Sequence, residues 1–151
     1  MYRLKGSDTS KGPLLLLPDY AHDSLAWLEK CEDTVDRDCS GRDTIGTRLA
    51  LDGWDVWFAN PRGTRNSPTS NWDYEQTRQV ANDLPAMLER IKLADGQCRK
   101  TSIMGHGQGA NQALIALAYA GSNAAKYISQ ALVLAPCLIP DAAYFGEGEL
   151  D

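Results

Sequence analysis

The sequence has no long apolar run. Its longest, Ala113 to Ala120, is far shorter than the roughly 20 residues that cross a bilayer, so no transmembrane segment is expected. No apolar stretch follows Met1-Tyr2-Arg3-Leu4-Lys5, and no signal peptide is read there. An Asn-x-Ser/Thr acceptor is also missing, because Asn66-Ser67-Pro68 has the wrong third residue. These absences leave the compartment open: either the chain is intracellular or an export signal has been removed. There is no excess of basic charge. A net charge of −5 argues against non-specific nucleic-acid binding, which needs a basic footprint.

Histidine is scarce, with His22 and His106 alone, and the cysteines Cys31, Cys39, Cys98 and Cys137 are not at metal-ligand spacing. No metal site and no cofactor are expected. The acidic cluster Asp33, Asp36, Asp38 and Asp43 lacks the glycine and ligand spacing of a calcium loop and reads as a solvated surface. Cys31 and Cys39 flank that stretch. A small disulfide loop in an oxidising compartment and four unpaired thiols are equally open readings. Repeats and low-complexity tracts are absent too.

What is present is a chain able to form a core, 43% hydrophobic and 23% charged. Short apolar runs alternate with longer helical patterns. Strands are predicted at Leu14–Leu17, Asp55–Ala59, Thr101–Met104 and Ala131–Leu134. A helix over Thr44–Leu51 takes Asp43 or Thr44 as its cap and stops at Gly53. From Trp72 to Ala94 the residues Val80, Leu84, Leu88 and Ile91 share one helical face, with Pro85 expected to kink or break it. Gly109–Tyr119 is a helix of small and apolar residues. Strands alternating with helices imply an α/β fold, a mostly parallel sheet with helices on both faces. The domain is expected over 1–139, with 140–151 an acidic tail or the start of a missing segment.

The most informative stretch is Ile103-Met104-Gly105-His106-Gly107-Gln108-Gly109-Ala110, between a predicted strand and a predicted helix. That is the setting of a nucleophile elbow, G-x-S-x-G, whose sharp turn lifts a serine above the sheet. The outer glycines Gly105 and Gly109 are in place, and the central position is Gly107. The same residues match a dinucleotide fingerprint, Gly105-x-Gly107-x-x-Ala110. That fingerprint requires an acidic residue at the end of the next strand, where Ala135-Pro136-Cys137 stands instead. The match is read as accidental.

Other segments join the elbow in order. Leu16-Leu17-Pro18-Asp19-Tyr20 with Trp27, Gly53-Trp54-Asp55-Val56-Trp57-Phe58-Ala59-Asn60-Pro61-Arg62-Gly63-Thr64, Trp72-Asp73-Tyr74, Asn82-Asp83-Leu84-Pro85-Ala86 and Ala135-Pro136 follow one another along the chain. Together they resemble the acid lipases of gastric and lysosomal type, with their "GYDVWLGNSRGT", "YDLPA", "GHSQG" and "LAP" segments. The resemblance runs from about Leu14 to Pro136. It implies a partial α/β-hydrolase fold, and a parent activity on triacylglycerol or cholesteryl esters in a family that is secreted or lysosomal.

The departures set the expected function. The resemblance places the family's nucleophile on Gly107, which has no side chain. It places the oxyanion donors on the backbone N–H groups of Tyr20 and Gln108, and the family's catalytic Asp and His downstream of residue 151. Its oxyanion turn falls on Pro18-Asp19-Tyr20, where Asp19 replaces a glycine expected to serve an unusual backbone conformation. Losing a serine nucleophile costs roughly 10⁶-fold in turnover in a serine protease. No catalytic residue is therefore expected. The chain reads as a pseudoenzyme, a structural or assembly subunit with another chain covering the sheet edge after Ala131–Leu134. Two alternatives stand beside it: a module holding a lipid or acyl ligand, and a fragment or nucleophile variant of a lipase. Asp19 with His22 is read as a solvated turn rather than an acid/base pair, and His106 as packing beside the elbow. Arg62 is read as a tie between loops, and Trp27, Trp54, Trp57 and Trp72 as core or loop packing.

Overall fold

A computed structural model describes residues 1–19, 22–28, 44–68, 82–118 and 123–136. The acidic cluster, Tyr20, Cys31, Cys39, Cys137, Trp72-Asp73-Tyr74, Val80 and the 140–151 tail lie outside the described residues.

The apolar runs form a five-stranded sheet: β1 (Tyr2–Lys5), β2 (Gly12–Leu17), β3 (Trp54–Phe58), β4 (Thr101–His106) and β5 (Ile128–Leu134). Their order is β1-β3-β2-β4-β5, all parallel except β1, which runs antiparallel to β3. Among the described residues three α-helices lie between them: α1 (Ile45–Leu51), α2 (Leu84–Asp95) and α3 (Gln108–Ala118). The fold is α/β with a mostly parallel sheet, as the alternation of strands and helices predicts, and it is consistent with the partial α/β-hydrolase fold that the resemblance implies.

The run Leu14–Leu17 is buried on both sides because the sheet is covered on both faces. Leu14 and Leu16 pack with Trp27, Ala50 of α1, Val56 and Phe58. Leu15 and Leu17 pack with Trp57, Leu84, Leu88 and Ile91 of α2, and with Ala113 and Ala116 of α3. Period-two alternation thus assigns each leucine to its own layer.

Helix boundaries follow capping chemistry. The Thr44 hydroxyl accepts the Thr47 N–H at 3.1 Å, so Thr44 rather than Asp43 caps α1. Gly53 follows the helix with φ +95°. Pro85 marks a change of helix type: Asn82-Asp83 form a π-helical turn and the regular α-helix begins at Leu84. It sits in the first turn of α2, where its missing N–H has no intrahelical partner to lose.

One strand is unexpected. Tyr2–Lys5 is mostly exposed, and it is recruited by a side-chain contact rather than by hydrophobicity. Arg3 donates two 2.8 Å hydrogen bonds to Asp55, which is 1% exposed on β3, and its guanidinium lies 4.7 Å from the Trp57 ring centre. A buried carboxylate needs such a partner.

A second ion pair closes the far end of α2. Arg99 donates to Asp95 through Nε at 3.2 Å and Nη2 at 2.6 Å, and through Nη1 to the Thr9 carbonyl at 3.0 Å. The side-chain hydrogen bond from Arg99 holds the Asp95 carboxyl below the usual carboxylate range. A carboxyl lowered on folding stabilises the protein above its unfolded pKa of about 3.9, and that contribution is lost as the pH falls through the lower folded value. Asp95→Asn is accordingly expected to cost about 1–2 kcal/mol at pH 7. The gap from wild type should narrow below about pH 4. Urea midpoints measured at pH 7, 4 and 3 check this, and a gap that stays constant across the series contradicts it.

Candidate functional site

β2 lies between β3 and β4, so the chain leaves it toward one side and later returns on the other. The crevice at the carboxyl ends of such neighbouring strands is where open α/β sheets bind ligands. Leu17 of β2 pairs with Gly105 of β4, which brings Pro18-Asp19 beside His106-Gly107.

The turn from β4 into α3 is as tight as the glycine pattern implies. Gly107 has φ +52° and donates its N–H to the Leu134 carbonyl at 3.0 Å, while its own carbonyl accepts the Asn111 N–H at 3.1 Å. Gly105 packs against the Gly109–Ala110 backbone, and Gly109 packs against the backbone of Leu17. This is the geometry of an elbow, with Gly107 at the position that the resemblance assigns to the nucleophile.

The space above Gly107 is filled by Asp19. A Cβ built on Gly107 has three Asp19 carboxylate atoms as its nearest neighbours, none farther than 2.6 Å. Asp19 Oδ1 accepts the Gln108 N–H at 2.8 Å, and Oδ2 lies 4.0 Å from His106 Nδ1. The Gln108 donor is one of the two that the resemblance assigns to an oxyanion, and the chain's own carboxylate already holds it. Tyr20, the other, lies outside the described residues. The unusual backbone conformation expected at position 19 is not found. Positive φ at a non-glycine occurs only at Cys98 and Ala135 among the described residues, so Asp19 needs no left-handed backbone.

Nor is Asp19 simply a solvated turn residue. Its backbone carbonyl accepts the His22 N–H at 3.1 Å, while its carboxylate turns to the elbow. His106 is 49% exposed by its side chain rather than packed away. Sequence reasoning missed the Asp19–Gln108 contact, although a side chain lost at 107 and one gained at 19 are the two halves of it. The same contact weighs against a dinucleotide at this turn, since a carboxylate sits where a phosphate would meet the helix N-terminus.

Arg62 ties loops together as expected. It makes a two-pronged ion pair with Asp83 at the start of α2, its Nε donating to Oδ2 at 2.6 Å. Trp27 and Trp57 are buried and Trp54 partly so, in the core. A cavity between Leu17, Ala59, Pro61, Leu84, Met87 and Gln112 has room for about one water molecule. Ligand pockets span some hundreds of Å³, so this space does not take an acyl chain. Among the described residues no cluster of His, Cys, Asp or Glu is arranged to hold a metal ion. Also among them, no helix is long and apolar enough to cross a membrane.

Comparison with known proteins agrees with this fold. Residues 37–147 match the family described as serine aminopeptidase, S33. The chain is 30% identical over 113 residues to triacylglycerol lipase 2 of Arabidopsis thaliana, covering 69% of this chain and 24% of that one. Among solved structures, an N-formylmaleamic acid deformylase from Pseudomonas putida S16 superposes with a TM-score of 0.60 at 19% identity. The match covers 89% of this chain and 41% of the deformylase. A Bacillus licheniformis lipase in its mature form superposes with a TM-score of 0.57 at 18% identity, over 89% of this chain and 46% of the lipase. The chain spans about a quarter of the length of the plant lipase and under half of each of these two solved chains. At such low identity the structural likeness speaks for the fold alone.

Proposed function

The chain belongs to the serine aminopeptidase S33 family of α/β-hydrolases, and from that premise we propose that it is a lipase-like member which does not hydrolyse esters at its elbow and serves instead as a structural or assembly unit. The parent chemistry would be that of the acid lipases it resembles. The observation that carries the reading is the Asp19 carboxylate lying over Gly107 and accepting the Gln108 N–H.

Acyl transfer at an elbow needs an oxygen nucleophile on the central residue and free N–H donors aimed at the developing oxyanion. Gly107 offers no oxygen. The Gln108 donor faces a carboxylate whose negative charge repels an incoming oxyanion. Oxyanion stabilisation without a triad leaves about 10³–10⁴-fold over water in a protease, and here that remnant loses a donor as well. The expected result is hydrolysis of p-nitrophenyl butyrate at the buffer rate and no labelling by a fluorophosphonate probe. Turnover abolished by the probe, or a labelled serine, contradicts the proposal.

A module that holds a lipid without cleaving it is the second reading, favoured by the likeness to a triacylglycerol lipase; the cavity beside Leu17 and Met87 is too small to be its site. Solvent extraction of the purified protein followed by mass spectrometry separates the two.

A further inference from the structure

The parallel strands β2, β3, β4 and β5 all start at the end of the sheet opposite the elbow, and β1 finishes there, Lys5 pairing with Asp55. Contacts across that end tie its turns together. The Lys11 N–H donates to the Gly53 carbonyl at 3.1 Å, and Arg99 donates to the Thr9 carbonyl at 3.0 Å. Lys92 and Lys126 both lie over the Tyr127 ring, 5.6 and 4.9 Å from its centre. A chain of net charge −5 thus gathers Lys5, Lys11, Lys92, Lys100 and Lys126 at one end. These residues all precede Pro136, and β5 carries the chain away from them to Leu134, whose carbonyl meets Gly107 at the elbow.

The cations here divide by type. Arg3, Arg48 and Arg99 are each paired with an aspartate, Asp55, Asp52 and Asp95 in turn. Among the described residues none of the five lysines makes an ion pair. The carboxylate left at this end without a basic partner is Asp8, which accepts from Ser10. Exposed leucines accompany the lysines. Leu51, Leu93 and Leu117 stand in the last turns of α1, α2 and α3, the turns nearest this end, and are 70%, 73% and 47% exposed.

We propose that this end docks on the anionic leaflet of a lipid bilayer, the lysines against lipid phosphates and carboxylates and the leucines entering the headgroup layer. Two features choose a bilayer. An arginine fork suits a carboxylate or phosphate held in one place, and here the forks are used within the fold. The free charges are lysines, point charges on flexible apolar stems, which suit a fluid layer of headgroups. A soluble polyanion matches the charge but gives exposed leucines nothing to enter, whereas a bilayer rewards both. The surface is remote from the elbow, so it goes beyond the reading above and does not rest on it.

Cosedimentation of the full chain with vesicles tests this. Wild type should bind vesicles of about 30% phosphatidylserine in phosphatidylcholine at about 0.1 M NaCl, and the binding should fall steeply as salt is raised. Vesicles of phosphatidylcholine alone should bind it at least about 10-fold more weakly. Lys11→Gln combined with Lys100→Gln, both at exposed sites, should weaken binding about 30-fold, or about fivefold for each lysine. Leu93→Ser should weaken it about fivefold. Circular dichroism checks that each variant is folded. On vesicles, amide exchange should slow at Lys5–Lys11 and Gly96–Lys100 and stay unchanged at Gly105–Gly109. No binding up to about 1 mM lipid overturns the proposal, as does equal binding to the two kinds of vesicle. Lysine variants that bind like wild type, or slowing confined to the elbow, overturn it too. If Leu93→Ser binds like wild type and heparin strips the chain from vesicles, the partner is a soluble polyanion and the bilayer is ruled out.

Discussion

Gly107→Ala should lower stability by about 3 kcal/mol, through two separable costs. The first is conformational. Gly107 has φ +52°, and an L-residue in that region costs about 1–2 kcal/mol. The second is the displaced carboxylate. A Cβ at this position cannot coexist with Asp19 where it stands, so Asp19 must swing away and release the Gln108 N–H. A hydrogen bond to a charged group contributes roughly 1.5–3 kcal/mol. The lower end applies because the Asp19 side chain is 37% exposed. The two costs separate in a double-mutant cycle. In an Asp19→Ala background the carboxylate is already gone, and Gly107→Ala should cost only the conformational part. The coupling should therefore be about 1.5 kcal/mol, measured by urea denaturation of the four proteins. Additive effects would mean that the carboxylate is not over Gly107 in solution. A serine carries the same Cβ, so restoring an oxygen at this position meets the same obstacle until Asp19 is removed.

The legible part of the molecule is what local pattern encodes. Leu14–Leu17 reads as a strand because its residues are apolar without interruption, and Gly105 and Gly109 read as an elbow because their spacing fits one kind of turn. Helix α1 is legible from Thr44 and Gly53, a cap and a stop. What escaped depends on partners distant in sequence. Tyr2-Arg3-Leu4-Lys5 is too polar to read as a strand, and it becomes one through Arg3 and Asp55, 52 residues apart. Pro85 reads as a kink or a break within a helical pattern, and α2 takes up its regular course at Leu84 with Pro85 in its first turn, directly after a π-helical turn at Asn82-Asp83. The Asp19 carboxylate reaches a backbone N–H 89 residues away. Each half of that contact was visible alone, as an acid in a turn and a glycine in an elbow, but the register of β2 against β4 is what joins them. The family resemblance drew attention to both positions without saying that they touch.

Gly109→Ala should be the more damaging substitution, although the backbone there is ordinary helix and alanine is the better helix former. A Cβ at Gly109 falls 2.7 Å from the Leu17 carbonyl carbon and from Leu17 Cβ, and closer still to the carbonyl oxygen. The obstacle at Gly107 is the free end of a side chain, which can rotate. The obstacle here is the main chain of a central strand. Leu17 is bonded to β4 through the Leu17–Gly105 pair, and its side chain is 2% exposed in the core. Relief requires α3 to move off the sheet, which opens the packing of Ala113 and Ala116 against Leu15 and Leu17. Overpacking typically costs 1–3 kcal/mol when side chains can absorb it. With backbone on both sides the cost should reach about 4 kcal/mol, a large share of the stability of a domain this size. Thermal unfolding should show a transition lowered by more than about 10 °C, or no folded state at all. Gly96→Ala serves as the control. That residue also has positive φ, but a Cβ there meets nothing within 4 Å. It should therefore lose only the roughly 1–2 kcal/mol of a left-handed residue. If Gly109→Ala proved as mild as Gly96→Ala, the close approach of α3 to β2 that forms the elbow would be disproved.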